Sequence, residues 1–230
     1  MTNFTKRPRG FTLIEILVAT TLLGIVSAGM LRVTIQAANT YSYDTGKILV
    51  NKDIRKFTTE MTENATYANF FMIFPAYTSI SRVDDTLINV NDSDQGFTTA
   101  IADNTVQDGQ SGDCLVLVYK DAADDRKIAK IIAYFRSPTN PSDVNSTGPV
   151  RRMTLTIDPS SILPVRQLIP EITNPSQYPE VIELSRGMAN GKLFYNFYSR
   201  SISVKGEILH RGSLVKQATN TYNFTVSPRG

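Results

Sequence analysis

Residues 11–31 read Phe-Thr-Leu-Ile-Glu-Ile-Leu-Val-Ala-Thr-Thr-Leu-Leu-Gly-Ile-Val-Ser-Ala-Gly-Met-Leu, and the residues just before them read Lys6-Arg-Pro-Arg-Gly10. Glu15 is the only charged residue in the run. At about 1.5 Å per residue this is enough helix to cross a hydrocarbon core of about 30 Å, and a helix satisfies its own backbone groups there. The segment carries a flaw, because a carboxylate within the bilayer costs roughly 2.5 to 3.5 kcal/mol on insertion scales. Glu15 therefore needs a partner. A cut between Gly10 and Phe11 would create an amino group about 6 Å along the helix axis from Glu15, and the same group on a neighbouring copy could reach it too. A penalty borne by the lone subunit and removed by side-by-side stacking would drive ordered assembly out of the membrane.

Arg9-Gly10-Phe11-Thr12-Leu13-Ile14-Glu15 resembles the type IV prepilin signal shared by pilins and by the pseudopilins of type II secretion. The resemblance implies that a membrane prepilin peptidase cuts after Gly10 on the cytoplasmic side, that Phe11 is N-methylated, and that Glu15 acts in subunit addition. The partners it implies are other pilin or pseudopilin subunits, that peptidase, an inner-membrane assembly platform and membrane lipid. It covers residues 9–15 and the helix after them, while the rest of the chain resembles the family only in general layout. A secretory signal peptide would end in a small-residue cleavage site after the apolar region, and Ala28-Gly29 is a poor version of one. An ordinary signal anchor explains the apolar run and the basic flank but has no use for Glu15 at that depth or for Gly10 before Phe11.

Lys6, Arg7 and Arg9 lie on one side of the span, and the positive-inside rule places them in the cytoplasm. The expected product is a single-pass protein of the bacterial inner membrane with its body outside, and a filament subunit after assembly. The formal charge of +3 belongs to the leader, since removing its three cations leaves 21 basic against 21 acidic residues. A neutral body has no general attraction for nucleic acid, which is not an expected partner. Arg151-Arg152 and the group Lys205, His210, Arg211 and Lys216 are weak basic clusters with interleaved acids, so a solvated surface is preferred to a DNA contact.

No proline occurs between Pro8 and Pro75. One helix is expected from about 11 to about 66, on the order of 84 Å long, leaving the membrane at Arg32. Beyond it Val50, Ile54, Phe57, Met61 and Ala65 recur at helical spacing among charged residues, an amphipathic face that packs on something. Gly24 and Gly29 in the membrane half allow bending or close approach of neighbours, or are simply tolerated there. After residue 67 short apolar runs alternate with Gly, Pro, Asn and Asp. Strands are expected at Cys114–Tyr119 and Lys127–Phe135, joined by Asp121–Asp125, at Met153–Ile157, and at Leu193–Tyr198, Ile202–Leu209 and Leu214–Val226, the last two joined at 210–213. The polar stretches 84–112 and 137–148 read as loops where partner contacts would reside, and the proline-dense 159–179 as an irregular connection wrapping the body or crossing between sheets. The fold class is α+β, a long N-terminal helix packed on an antiparallel β-rich body. The expected divisions are a leader at 1–10, a transmembrane helix at 11–31, its amphipathic continuation at 32–66 and a globular domain at 67–230.

Chemistry is sparse. His210 is the only histidine, reads as a turn residue and has no partner at metal-ligand or triad spacing. Cys114 is the only cysteine, so the body can hold no internal disulfide, and its apolar run makes it a buried hydrophobe. Asp92-Ser-Asp94-Gln-Gly96 resembles the front half of a calcium loop, and some pseudopilins bind calcium. The glutamate expected six residues after Gly96 is replaced by Ala102, so a solvated acidic turn is preferred and no metal is assigned. No catalytic residue and no cofactor is expected. The long helix, the missing disulfide and the late hairpins make the chain most similar to a minor subunit, a J-type pseudopilin of type II secretion or a W-type minor pilin. Its expected role is to help initiate a filament; the alternative is a pilus or DNA-uptake subunit that binds a surface or DNA through exposed loops.

Overall fold

A computed structural model describes residues 10–82, 105–210 and 218–229. Helix α1 runs over Leu13–Tyr67. It starts where Thr12 caps it and stops at Ala68, whose N–H reaches back to Ala65. Asn69 then donates its N–H to Val118, at 2.9 Å, and passes the chain into the sheet. The expected apolar face is the one that packs: Val50, Phe57, Met61 and Ala65 are buried, and Ile54 lies against the same cluster.

The body is one antiparallel sheet of nine strands: β1 Phe70–Phe74, β2 Ser111–Gly112, β3 Cys114–Lys120, β4 Ile128–Arg136, β5 Gly148–Ser161, β6 Glu180–Gly187, β7 Phe194–Phe197, β8 Ser201–His210 and β9 Ala218–Val226. The order is β1-β3-β4-β5-β6-β8-β7-β2, with β9 on the other side of β8. The class is α+β, with the long helix packed on this sheet, as the sequence indicates.

Both faces of the central strands are buried, which explains their unbroken apolar runs. Leu115, Leu117, Ile132 and Tyr134 face α1 together with Val204 and Tyr222. Phe57 sits at the centre of that layer, edge-on to Tyr134, Tyr222 and Phe224 with ring centroids 6.0, 6.0 and 5.8 Å away. The alternate residues Cys114, Val116, Val118, Ile131, Ala133 and Phe135 form a second core on the opposite face. The proline-dense connection closes it: the short helix α2, Val165–Leu168, places Val165 in that core beside Ile169 and Ile172. This stretch wraps the body.

Several boundaries differ from expectation for physical reasons. β1 is a wholly apolar pentapeptide with no alternation, wedged between the helix and Pro75, and it reads equally as helix end or strand. β2 is two residues inside an expected loop, held by pairing with β7. β6 follows the prolines and was not anticipated. β5 is longer than 153–157 because ladder pairs with Ile128 on β4 and Ser185 on β6 extend it to its two ends. His210 is the last residue of β8, opposite Ala218, rather than a turn residue. The expected turn at 211–213, the start of the last strand at 214 and the calcium-like run 92–96 lie outside the described residues.

Candidate functional site

The head of α1 is built by a four-residue pattern. Thr12 stands at the N-cap in extended conformation and Glu15 three residues on, the arrangement in which each side chain satisfies the other's backbone N–H. The Glu15 N–H donates to Thr12 Oγ1 at 3.3 Å. In return Glu15 Oε2 accepts from the Thr12 N–H at 2.8 Å and from the Thr12 hydroxyl at 2.9 Å. The carboxylate thus has two donors within its own chain. Sequence reasoning assigned the partner of Glu15 to an amino group at Phe11 and passed over Thr12, although the Thr-x-x-Glu signal was legible.

Among the described residues nothing packs around this box. Gly10, Phe11, Leu13 and Ile14 are exposed, and a Cβ placed on Gly10 would meet no atom within 4 Å. The same holds at Gly24 and Gly29. Among the described residues no contact requires any of the three glycines. The first 29 residues of α1, through Tyr41, are exposed, and the helix is long and apolar enough to cross a membrane by length and composition.

The other half of α1 is fixed to the sheet by polar bonds as well as by apolar packing. Glu60 Oε1 accepts from Tyr134 Oη at 3.0 Å and from Arg152 Nη1 at 2.8 Å. Asn64 Nδ2 donates to Tyr134 Oη at 2.6 Å, and Tyr119 Oη donates to the Asn64 carbonyl at 2.6 Å. Burial pushes both phenols up, Tyr119 to about 12, so both stay protonated donors. Arg151 is 8% exposed and donates to the Tyr178 carbonyl and to Glu180, each at 2.7 Å. Arg151 is therefore a buried group that holds the fold, while Arg152 pairs with Glu60 and keeps 37% of its side chain exposed. Lys205 lies over the Tyr195 ring, and the side chains of His210, Arg211 and Lys216 lie outside the described residues. Arg151→Glu with Arg152→Glu is expected to lower stability by about 1–3 kcal/mol per lost charged hydrogen bond, read by chemical denaturation, with no change in retention on DNA at low salt.

At the opposite end of the sheet lies a buried ion pair that no sequence signal marked. Asp113 and Arg136 have side chains 1% and 2% exposed and meet at 2.7 Å. Cys114 beside them is buried as expected, and burial followed by the Asp113 charge pushes its thiol up. Among the described residues no group of three or more His, Cys, Asp and Glu side chains is placed to hold a metal.

Residues 5–31 match the family model described as the prokaryotic N-terminal methylation motif. No curated protein and no solved structure matches the chain. The match is confined to the N-terminus and supports a type IV prepilin-like protein; a motif of this type implies processing by a prepilin peptidase and assembly with other pilin subunits, and the apolar helix near the N-terminus fits membrane anchoring.

Proposed function

We propose that this type IV prepilin-like chain is a minor pseudopilin that helps initiate the pseudopilus of a type II secretion system. Prepilin peptidase removes residues 1–10 by cutting after Gly10, Phe11 becomes the N-methylated first residue, residues 11–31 span the inner membrane with the N-terminus in the cytoplasm, residues 32–66 continue the helix, and the body from 67 onward faces outward. Glu15 drives incorporation. The observation that carries this reading is the Gly10-Phe11 junction leading into an exposed apolar helix whose one acid sits in a capping box, while the other half of the same helix is docked on a folded body. In the membrane-resident subunit Thr12 shields the carboxylate. On assembly the Phe11 amino group of this or a neighbouring copy replaces Thr12 as its partner, exchanging a neutral donor for a charged one. A minor role is favoured by the long helix, by a body without an internal disulfide and by the late β8–β9 pair. A pilus role shares the leader and the helix, and a DNA-binding version of it loses support because Arg151 and Arg152 are engaged internally.

The test is the intact mass and N-terminal peptide of the chain expressed with and without prepilin peptidase, for wild type and Gly10→Leu. A mature chain starting at methylated Phe11 is expected, lost in the variant without change in the melting temperature of the body. An uncut wild-type chain in the presence of active peptidase, or a cut near Ala28, would sink the proposal.

A further inference from the structure

The connection between β4 and β5 carries a feature that the filament role does not use. Asn-x-Ser/Thr, the pattern of an N-glycan acceptor, occurs at Asn3, Asn64, Asn91, Asn145 and Asn223, while Asn140 and Asn174 are disqualified by a following proline. Asn3 and Asn91 lie outside the described residues. The other three differ sharply. Asn64 is on the docked half of α1, with its amide given to Tyr134. Asn223 is locked into the ladder of β9 opposite Lys205. Asn145 alone of the three lies in a loop, and residues 141–145 there are all exposed.

The loop is held at its base and presents its tip. The Ser146 N–H donates to the Asp143 carbonyl at 3.0 Å, closing a turn. Asp143 Oδ1 accepts from the Asn145 backbone N–H at 2.9 Å. Ser146 is buried beneath the tip, its hydroxyl accepting from the Asn140 N–H at 2.8 Å and its carbonyl from Arg136 at 2.6 Å. No described residue takes up the Asn145 side-chain amide, and Thr147 supplies the hydroxyl two positions on. Placement in the fold matters too. Tyr119 reaches Asn64 while Asn220 reaches Asn51, so β3 begins, β4 ends and the 137–147 loop hangs at the end of the body from which α1 enters. That end is the one nearer the exposed apolar half of α1.

We propose that Asn145 is the acceptor of an N-linked glycan, added by a membrane oligosaccharyltransferase from a lipid-pyrophosphate-linked oligosaccharide. In the transfer Asn145 Nδ2 bonds to the anomeric carbon of the first sugar, the bond from that carbon to the pyrophosphate oxygen breaks, the lipid pyrophosphate leaves with the electron pair, and the one proton lost from the amide passes to the departing pyrophosphate. The proposal rests on the outward orientation of the body given above, because the donor is presented on that side.

The test uses the whole chain, co-expressed with prepilin peptidase in cells that make such a donor, with and without the transferase. The tryptic peptide spanning 137–151 is analysed by mass spectrometry, and the body's accessibility is read by protease added outside spheroplasts. The expected result is a glycan on this peptide only when the transferase is present, lost in Asn145→Gln and in Thr147→Val, and kept in Asn64→Gln and Asn223→Gln. Asn145→Gln is expected to melt with the unglycosylated wild type, since nothing packs on the amide. An unmodified peptide on a body that the outside protease digests overturns the proposal and leaves the orientation standing. A body protected from that protease overturns the orientation and the proposal with it.

Discussion

Asp113→Ala is expected to destabilise the body by about 3–5 kcal/mol, the cost of leaving one member of a buried pair without the other. The pair sits where five stretches of chain meet, those of Asp113, Arg136, Ser146, Ser185 and Leu193. Asp113 accepts from Arg136 Nε at 3.0 Å, from Arg136 Nη2 at 2.7 Å, from the Leu193 N–H at 3.1 Å and from Lys192 Nζ at 3.4 Å. Arg136 also donates to the Ser146 and Gly191 carbonyls, each at 2.6 Å. With the carboxylate gone, a guanidinium remains buried against carbonyls alone and the Leu193 N–H loses its partner. Replacing both residues by leucine is not expected to restore stability, because the carbonyls of Ser146 and Gly191 would then be buried without donors. Denaturant unfolding followed by tyrosine emission measures both variants. A loss below about 1 kcal/mol for Asp113→Ala would place the pair among exposed ones and refute this account.

That pair also marks the limit of what was legible in the sequence. Asp113, just before β3, and Arg136, the last residue of β4, are 23 positions apart, and only the antiparallel register of β3 on β4 brings them together. The helix was legible because its signals are local: an apolar run from Phe11, no proline until Pro75, and Val50, Phe57, Met61 and Ala65 on one face. The β3–β4 hairpin was legible for the same reason, two apolar runs around Asp121–Asp125, where Asp121 caps the turn through the Ala123 N–H at 2.8 Å. β1 and β6 were not, because a strand buried on both faces lacks alternation and a short mixed strand after prolines lacks a run. Arg151 shows the converse error. A cation reads as surface charge until the register buries it beside Glu180, whereas its neighbour Arg152 stays partly exposed beside Glu60. Thr12 shows that a local signal can be overlooked when a more distant partner is sought for the same carboxylate.

Glu15→Leu is expected to leave the chain inserted and cleaved while its recovery in sheared filaments falls about 100-fold, the equivalent of roughly 2.5–3.5 kcal/mol. The reasoning is differential. The acid raises the free energy of the subunit in lipid more than that of the subunit in a filament, where an amino group can face it. Leucine removes the penalty from the starting state and gives nothing to the final one, so the driving force is lost at its source. Thr12→Val separates this account from a merely structural role for the helix end. It removes the hydroxyl that bonds the carboxylate at 2.9 Å but keeps the backbone donor at 2.8 Å, raising the energy of the membrane state without touching the charge. The amount of inserted monomer should therefore drop, while the fraction of inserted subunits that enter filaments holds or rises. If Thr12→Val lowers that fraction as Glu15→Leu does, the two residues act by shaping the helix terminus, and Thr12 is no shield for an acid awaiting its partner.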